Sequence, residues 1–215
     1  MHHPNRFFSL ARFYRLFRPF LFWLPPERAH HLVLNCLSRC YSEQQAERRW
    51  TSMPACPVQC AGITFPNPVG LSAGFDNNGD YIKVFSSMGF GFIELGGVTP
   101  VAQEGNPAPR LFRLVKSKAL INRMGFPNKG VDYLCQRLAT RQYRGVIGVN
   151  IAKNMKTSLD HAADDYIACM KKLYPLVDYM TVNISSPNTP GLRELQRPDM
   201  LDALLKALKH TQHQL

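Results

Sequence analysis

The chain has 215 residues, 45% of them hydrophobic and 19% charged, a soluble globular composition at a length that can bury a sizeable core. Its formal charge of +11, divided as +5 before Ile63 and +6 from there on, suits an anionic membrane, anionic small molecules or nucleic acid. No helix-turn-helix, RNP or zinc-finger pattern accompanies the charge, so nucleic acid is set aside. No apolar run approaches the roughly 18 residues of a spanning helix.

Residues 6–18 place Phe7, Leu10, Tyr14 and Phe17 at helical spacing, with Arg12 and Arg15 on another face. A basic, aromatic-rich amphipathic helix reads as an interfacial membrane anchor. Two rivals stand beside that reading. The helix could pack on its own domain, or it could be a targeting peptide, since no acid occurs before Glu27. Pro25-Pro26 open a second helix, in which Ala29, Leu32, Val33, Cys36, Leu37, Cys40 and Tyr41 form an apolar stripe. Residues 1–44 are therefore expected as a small helical domain and 45–62 as a linker. Cys36 and Cys40 lie one turn apart on the stripe. The six cysteines are expected as reduced thiols, these two buried, rather than as a disulfide framework. No histidine or cysteine spacing suggests a metal site.

From Ile63 strand, loop and helix alternate. Strands are expected at 68–71, 92–95, 146–150 and 178–182, with helices at 80–88, 131–138 and 159–173 and another from Pro198. A long loop through residue 127 carries two pieces of β-hairpin. This is α/β architecture, four βα units. In parallel α/β sheets ligands collect at the C-terminal ends of the strands. Asn183-Ile184-Ser185-Ser186-Pro187-Asn188-Thr189-Pro190-Gly191-Leu192-Arg193 follows the fourth strand at such a place. Its amides and hydroxyls, stiffened by two prolines, can address a flat heterocycle. The plainer alternative is a turn whose side chains bond their own backbone.

That string resembles the active-site loop of the class 2 dihydroorotate dehydrogenases, which are quinone-using and membrane-associated. Collinear matches run through Pro26-Glu27-Arg28-Ala29-His30, Ser72-Ala73-Gly74-Phe75-Asp76, Pro109-Arg110-Leu111-Phe112-Arg113-Leu114 and Leu120-Ile121-Asn122-Arg123-Met124-Gly125-Phe126. The resemblance implies a (β/α)8 TIM barrel. Residues 63–215 would be its first half, because eight units typically need about 250 residues. It implies FMN-dependent oxidation of dihydroorotate to orotate in pyrimidine synthesis, with a membrane quinone as acceptor. The two N-terminal helices would touch the membrane and form the quinone entrance. The expected place is the cytoplasmic face of a bacterial inner membrane, or the mitochondrial inner membrane as the alternative.

Carried over residue by residue, Ser186 takes the catalytic-base position. Ala73, Gly74, Phe75, Asp76, Asn77, Gly97, Asn150 and Asn183 would contact FMN. Asn77, Asn122, Arg123, Met124, Gly125, Phe126, Asn183 and Asn188 would line the substrate site. Taken singly, Gly74 reads equally as a turn residue and Asn150 as a loop cap. Two positions depart from the family pattern. Asn77 stands where lysine is expected, which removes a cation near electron-rich flavin and substrate carboxylate, and Gly97 stands for a threonine or serine. The chain is expected to be a truncated form that lacks the phosphate-binding loops of the later strands. A catalytically inactive remnant, with at most membrane or self association, is the second reading.

Overall fold

Residues 6–40 (side chains from 14), 56–141 and 143–215 are described by a computed structural model. The first helix, α1 (Arg6–Trp23), runs past its expected end and through Pro19. Pro25 then breaks the chain and α2 (Pro26–Cys40) begins with Pro26 in its first turn, where the missing N–H costs nothing. Two arginines near the later hairpin clamp this helical pair. Arg110 pairs with Glu27 at 2.9 Å, and Arg113 donates to the Leu24 carbonyl at 2.8 Å with its guanidinium over the Phe22 ring.

The apolar stripe of α2 divides. Ala29 and Leu34 are buried, whereas Leu32, Cys36 and Cys40 are exposed. Leu34 was no member of the expected stripe. The helix is amphipathic over a wide arc, and only one flank of that arc meets the body of the protein. The expectation of buried thiols at Cys36 and Cys40 is thereby corrected. Cys56 and Cys60 are also exposed, Cys169 is buried, and all six thiols are free. The Cys169 thiol is pushed up to about 12, first by burial and then by Asp165. Tyr41 lies outside the described residues, as does much of the stretch read as a linker. The last part of that stretch forms β1 (Val58–Cys60), paired antiparallel with β2 (Ile63–Phe65). This hairpin was not foreseen.

A four-stranded parallel sheet of order β3-β4-β7-β8 follows. Its strands are β3 (Gly70–Leu71), β4 (Phe92–Val98), β7 (Val146–Ile151) and β8 (Tyr179–Val182). Between them run α3 (Ile82–Ser86), the antiparallel hairpin β5 (Leu111–Leu114) and β6 (Ala119–Asn122), α4 (Val131–Ala139) and α5 (Ala162–Leu173), with α6 (Pro198–Gln214) last. This is the first half of a (β/α)8 barrel, with β3 and β8 at the edges of the arc.

Strand periodicity sorts the two faces of the sheet. Ile93 and Leu95 on β4 stand beside Ile147 and Val149 on β7, all buried in one core with Leu134 and Leu138 of α4, Tyr166 and Leu173 of α5, and Leu204 and Leu208 of α6. The alternate residues Phe92, Glu94, Gly148, Asn150 and Tyr179 occupy the other face, which becomes the inside of the barrel. There large and small residues alternate. A Cβ on Gly148 would lie 2.0 Å from the Tyr179 ring, and one on Gly70 would lie 2.1 Å from the Phe92 ring. Glycine at these positions lets a neighbouring ring lie flat across the strand.

Candidate active site

Four loops meet at the C-terminal edge of the sheet. After β3, the buried Asp76 carboxylate accepts the N–H groups of Tyr81 at 2.7 Å, Asp80 at 3.0 Å and Asn78 at 3.3 Å. Burial raises its pKa and those donors oppose the rise. Asp76 therefore shapes the turn, and its carboxylate oxygens face backbone. The same loop is tied to β4 where Gly74 N–H donates to the Gly96 carbonyl at 2.8 Å and Gly96 N–H to the Asp76 carbonyl at 3.1 Å. Gly74 has φ +101°, and a Cβ there would meet nothing within 4 Å, so one side of the turn is open. Phe75 is 51% exposed, and its carbonyl accepts from His30 of α2 at 3.0 Å. Asn77 donates its amide to the Pro127 carbonyl at 2.8 Å, fastening the β3 loop to the long loop.

The long loop folds back over the end of β4. Phe126 (φ +51°) lays its ring over Gly97, where a Cβ would be 2.6 Å from it. Gly125 and Phe126 offer their carbonyls to the Gln103 amide at 2.9 and 3.2 Å. The Met124 carbonyl accepts the Asn106 N–H at 2.9 Å. Arg123 turns its guanidinium onto the Pro109 carbonyl at 2.9 and 3.1 Å, so that side chain is engaged with its own loop.

The remaining expected residues come together as two hydrogen-bonded groups on the fourth loop. Asn183 donates to the Asn150 amide oxygen at 3.0 Å and accepts from the Ser185 N–H at 3.1 Å. Asn188 donates to the Asn122 amide oxygen at 3.1 Å, joining the fourth loop to the end of β6. The Asn188 N–H donates to Ser186 Oγ at 3.2 Å. Behind the loop, the Tyr166 hydroxyl donates to the Asn183 carbonyl, Arg193 to that of Ser185 and Gln196 to that of Ile184, at 2.9 to 3.0 Å. The loop is thus held by its framework, and Asn183, Ser186 and Asn188 are placed rather than free to wander. Ala73 sits half-buried beside Gly74.

Several framework residues escaped the sequence reading. Asn106 bridges two loops by donating to the carbonyls of Arg123 at 2.9 Å and Asn188 at 3.0 Å. Lys153 is 2% exposed and bonds the carbonyls of Asn154 and Thr157 at 2.9 and 2.5 Å, with its pKa lowered by burial against the pull of Asp165. Thr189 is 2% exposed, and its hydroxyl has no partner among the described residues. Glu94 accepts from Asn150 at 3.1 Å and from the Tyr179 hydroxyl at 3.0 Å. The polar turn around Gln103 and Asn106 carried a signal in composition, whereas Glu94 and Tyr179 lie 85 residues apart and carried none. Among the described residues no cluster of three His, Cys, Asp or Glu side chains could hold a metal ion.

Comparison with known proteins finds relatives along most of the chain. The chain is 54% identical over 202 residues to "Dihydroorotate dehydrogenase (quinone)" of Coxiella burnetii (strain Dugway 5J108-111), covering 94% of this chain and 58% of that protein. It is 53% identical over 199 residues to the protein of the same name from Idiomarina loihiensis, covering 93% and 60%. The crystal structure of DHODH from Eimeria tenella in complex with ferulenol superposes with a TM-score of 0.75 at 41% identity, covering 86% of this chain and 50% of that one. The chain spans about 58–60% of the length of these curated relatives. The sequence profile described as dihydroorotate dehydrogenase matches residues 56–215, and the chain belongs to the dihydroorotate dehydrogenase family.

Proposed function

We propose that these four loops hold FMN and dihydroorotate for oxidation to orotate, with a quinone as the final electron acceptor. The observation that carries the reading is the convergence of Asn122, Asn150, Asn183, Ser186 and Asn188, drawn from three chain segments into two hydrogen-bonded groups at one sheet edge. The residues fit a flat cofactor. The open side of Gly74 admits a ring against backbone, and the amides of Asn150 and Asn183 keep a further donor or acceptor each. Ala73, Gly74, Phe75 and Gly97 would frame the ring, and Asp76 holds their loop in shape.

FMN, when bound, would supply acceptance of the hydride from C6 of dihydroorotate and delivery of the two electrons to the quinone. Ser186 Oγ takes the proton from C5. An alcohol is a weak base, so Ser186 gives up its own hydroxyl proton as it takes the one from C5, and the Asn188 N–H pointing at Oγ favours the negative charge the oxygen carries in between. The buried Thr189 hydroxyl, three residues on and without a partner among the described residues, would receive the hydroxyl proton that Ser186 gives up and relay it onward. Asn122, Asn183 and Asn188 hold the substrate's ring and carboxylate.

The membrane side of the proposal rests on α1 and α2. Tyr14, Leu16, Phe17, Phe20, Trp23 and Leu32 are exposed, with Arg15 and Arg18 beside them. No described helix is long and apolar enough to cross a membrane, and an aromatic, basic surface of this kind suits lying at an anionic interface. The place proposed is the cytoplasmic face of a bacterial inner membrane, with the mitochondrial inner membrane as the alternative, and the bacterial source of the relatives supports the first.

A second reading is a family member that folds without turning over. Asn77 already gives its amide to Pro127, Gly97 brings no hydroxyl, and among the described residues β3 and β8 have no strand on their outer sides. Dihydroorotate-dependent reduction of a soluble quinone by the purified chain with added FMN separates the two. The proposal expects turnover that Ser186→Ala lowers by about 100-fold or more. A folded, FMN-loaded chain without turnover supports the second reading.

A further inference from the structure

We infer that Glu94 and Tyr179 are positioning residues of this site, fixing through a one-way chain of hydrogen bonds which end of the Asn150 and Asn183 amides a bound heterocycle meets. The two ends of an asparagine amide are nearly alike in shape, so only its partners decide which way it turns. Both oxygens of the Glu94 carboxylate are acceptors. Glu94 Oε1 therefore draws Nδ2 of Asn150, at 3.1 Å. That leaves Asn150 Oδ1 for Nδ2 of Asn183, at 3.0 Å, and Asn183 Oδ1 for the Ser185 N–H, at 3.1 Å. A backbone N–H can only donate. The chain thus has an acceptor at one end and a donate-only group at the other, and both enforce the same polarity on the amides between them.

Tyr179 secures the carboxylate. It reaches from β8 across β7, its ring over Gly148, and donates its hydroxyl to Glu94 Oε2 at 3.0 Å. Burial, and then the neighbouring Glu94, raises the phenol pKa, so the hydroxyl keeps its proton and remains a donor. Neither side chain need touch a ligand. Both act through Asn150 and Asn183, and the functional half of the inference rests on the reading of those two as flavin and substrate contacts.

The test is made on the full chain by following the side-chain amide protons of Asn150 and Asn183 with 15N NMR, alongside FMN titration in the presence of orotate. Glu94→Gln can present either an oxygen or an NH2 group to Asn150, so it keeps the shape and loses the polarity. It is expected to speed exchange of both asparagine amides by about tenfold while backbone amides of β4 and β7 stay protected. Tyr179→Phe removes one donor and is expected to give a change of about threefold in the same resonances, which keeps the test open if Glu94→Gln does not fold. Asparagine amides unchanged in either folded variant would overturn the inference. Weaker FMN and orotate binding in Glu94→Gln, by about tenfold, supports the functional half. Absence of FMN binding by the unaltered chain counts against the proposed function and overturns that half, leaving the hydrogen-bond chain to be judged by the amides.

Discussion

The ring of Phe126 occupies the space that a side chain at Gly97 would need, 2.6 Å from the position of its Cβ. The family pattern expects threonine or serine here, so glycine and the inward ring act as a pair. Gly97→Thr is expected to lower stability by about 1–3 kcal/mol, as overpacking does. The loss should be smaller when Phe126→Leu is added, because the two sites share one space. Thermal melts of the two singles and the double measure this. A Gly97→Thr protein as stable as the original would mean the ring yields at no cost.

Asn77 is engaged with the Pro127 carbonyl at 2.8 Å, so its amide serves a loop-to-loop tie. Replacement by lysine supplies a cation and breaks the tie. Asn77→Lys is expected to cost about 1 kcal/mol and to bring no gain in dihydroorotate oxidation. Denaturant melts and the quinone assay read both effects. A marked rise in turnover would show that the missing cation matters more than the tie.

His30 joins α2 to the loop of Phe75, its Nε2 3.0 Å from the carbonyl oxygen. Burial, and then His31, lowers its pKa below the ordinary 6.5, while the Phe75 carbonyl and Glu27 oppose the shift. The unfolded chain then binds the proton first as pH falls. Stability from this group is present above about 6.5 and is lost between 6.5 and the lower folded value. Melting temperature should fall across that window, and His30→Gln should flatten the fall. An unchanged slope in His30→Gln would assign the dependence to other groups.

Phe20 and Trp23 are 57% and 81% exposed on the outer side of α1. A double change to glutamate removes apolar area and adds repulsion from anionic lipid. Binding to vesicles containing anionic lipid is expected to weaken by about tenfold or more, with helix content unchanged. Equal sedimentation with vesicles would place the membrane contact elsewhere.

The parts legible in the sequence are those whose signal is local. Val131, Leu134 and Leu138 repeat at helical spacing and are buried in α4, and the unbroken run from Val146 is a strand buried on both faces. The polar strings at the strand ends marked the loops that are proposed as the site. The β1–β2 hairpin gave no such signal, since Val58, Gln59 and Cys60 are all exposed and lack the alternation of a half-buried strand. On α2 the pattern revealed an apolar arc and could not tell which flank is covered. Arg123 bears the family motif, yet its guanidinium is spent on Pro109, a contact set by the hairpin between them. Partnerships such as Glu94 with Tyr179 depend on strand order, and no window of sequence contains it.

The most direct test of the central claim is a titration of the purified, folded chain with FMN, then with orotate, followed by flavin absorbance near 450 nm (roughly where oxidised flavin absorbs). The account predicts a saturable spectral change with FMN and a second one with orotate, both weakened by Asn150→Ala and Asn183→Ala. A flavin spectrum identical with and without the folded protein would contradict the assignment of these four loops as a flavin and dihydroorotate site.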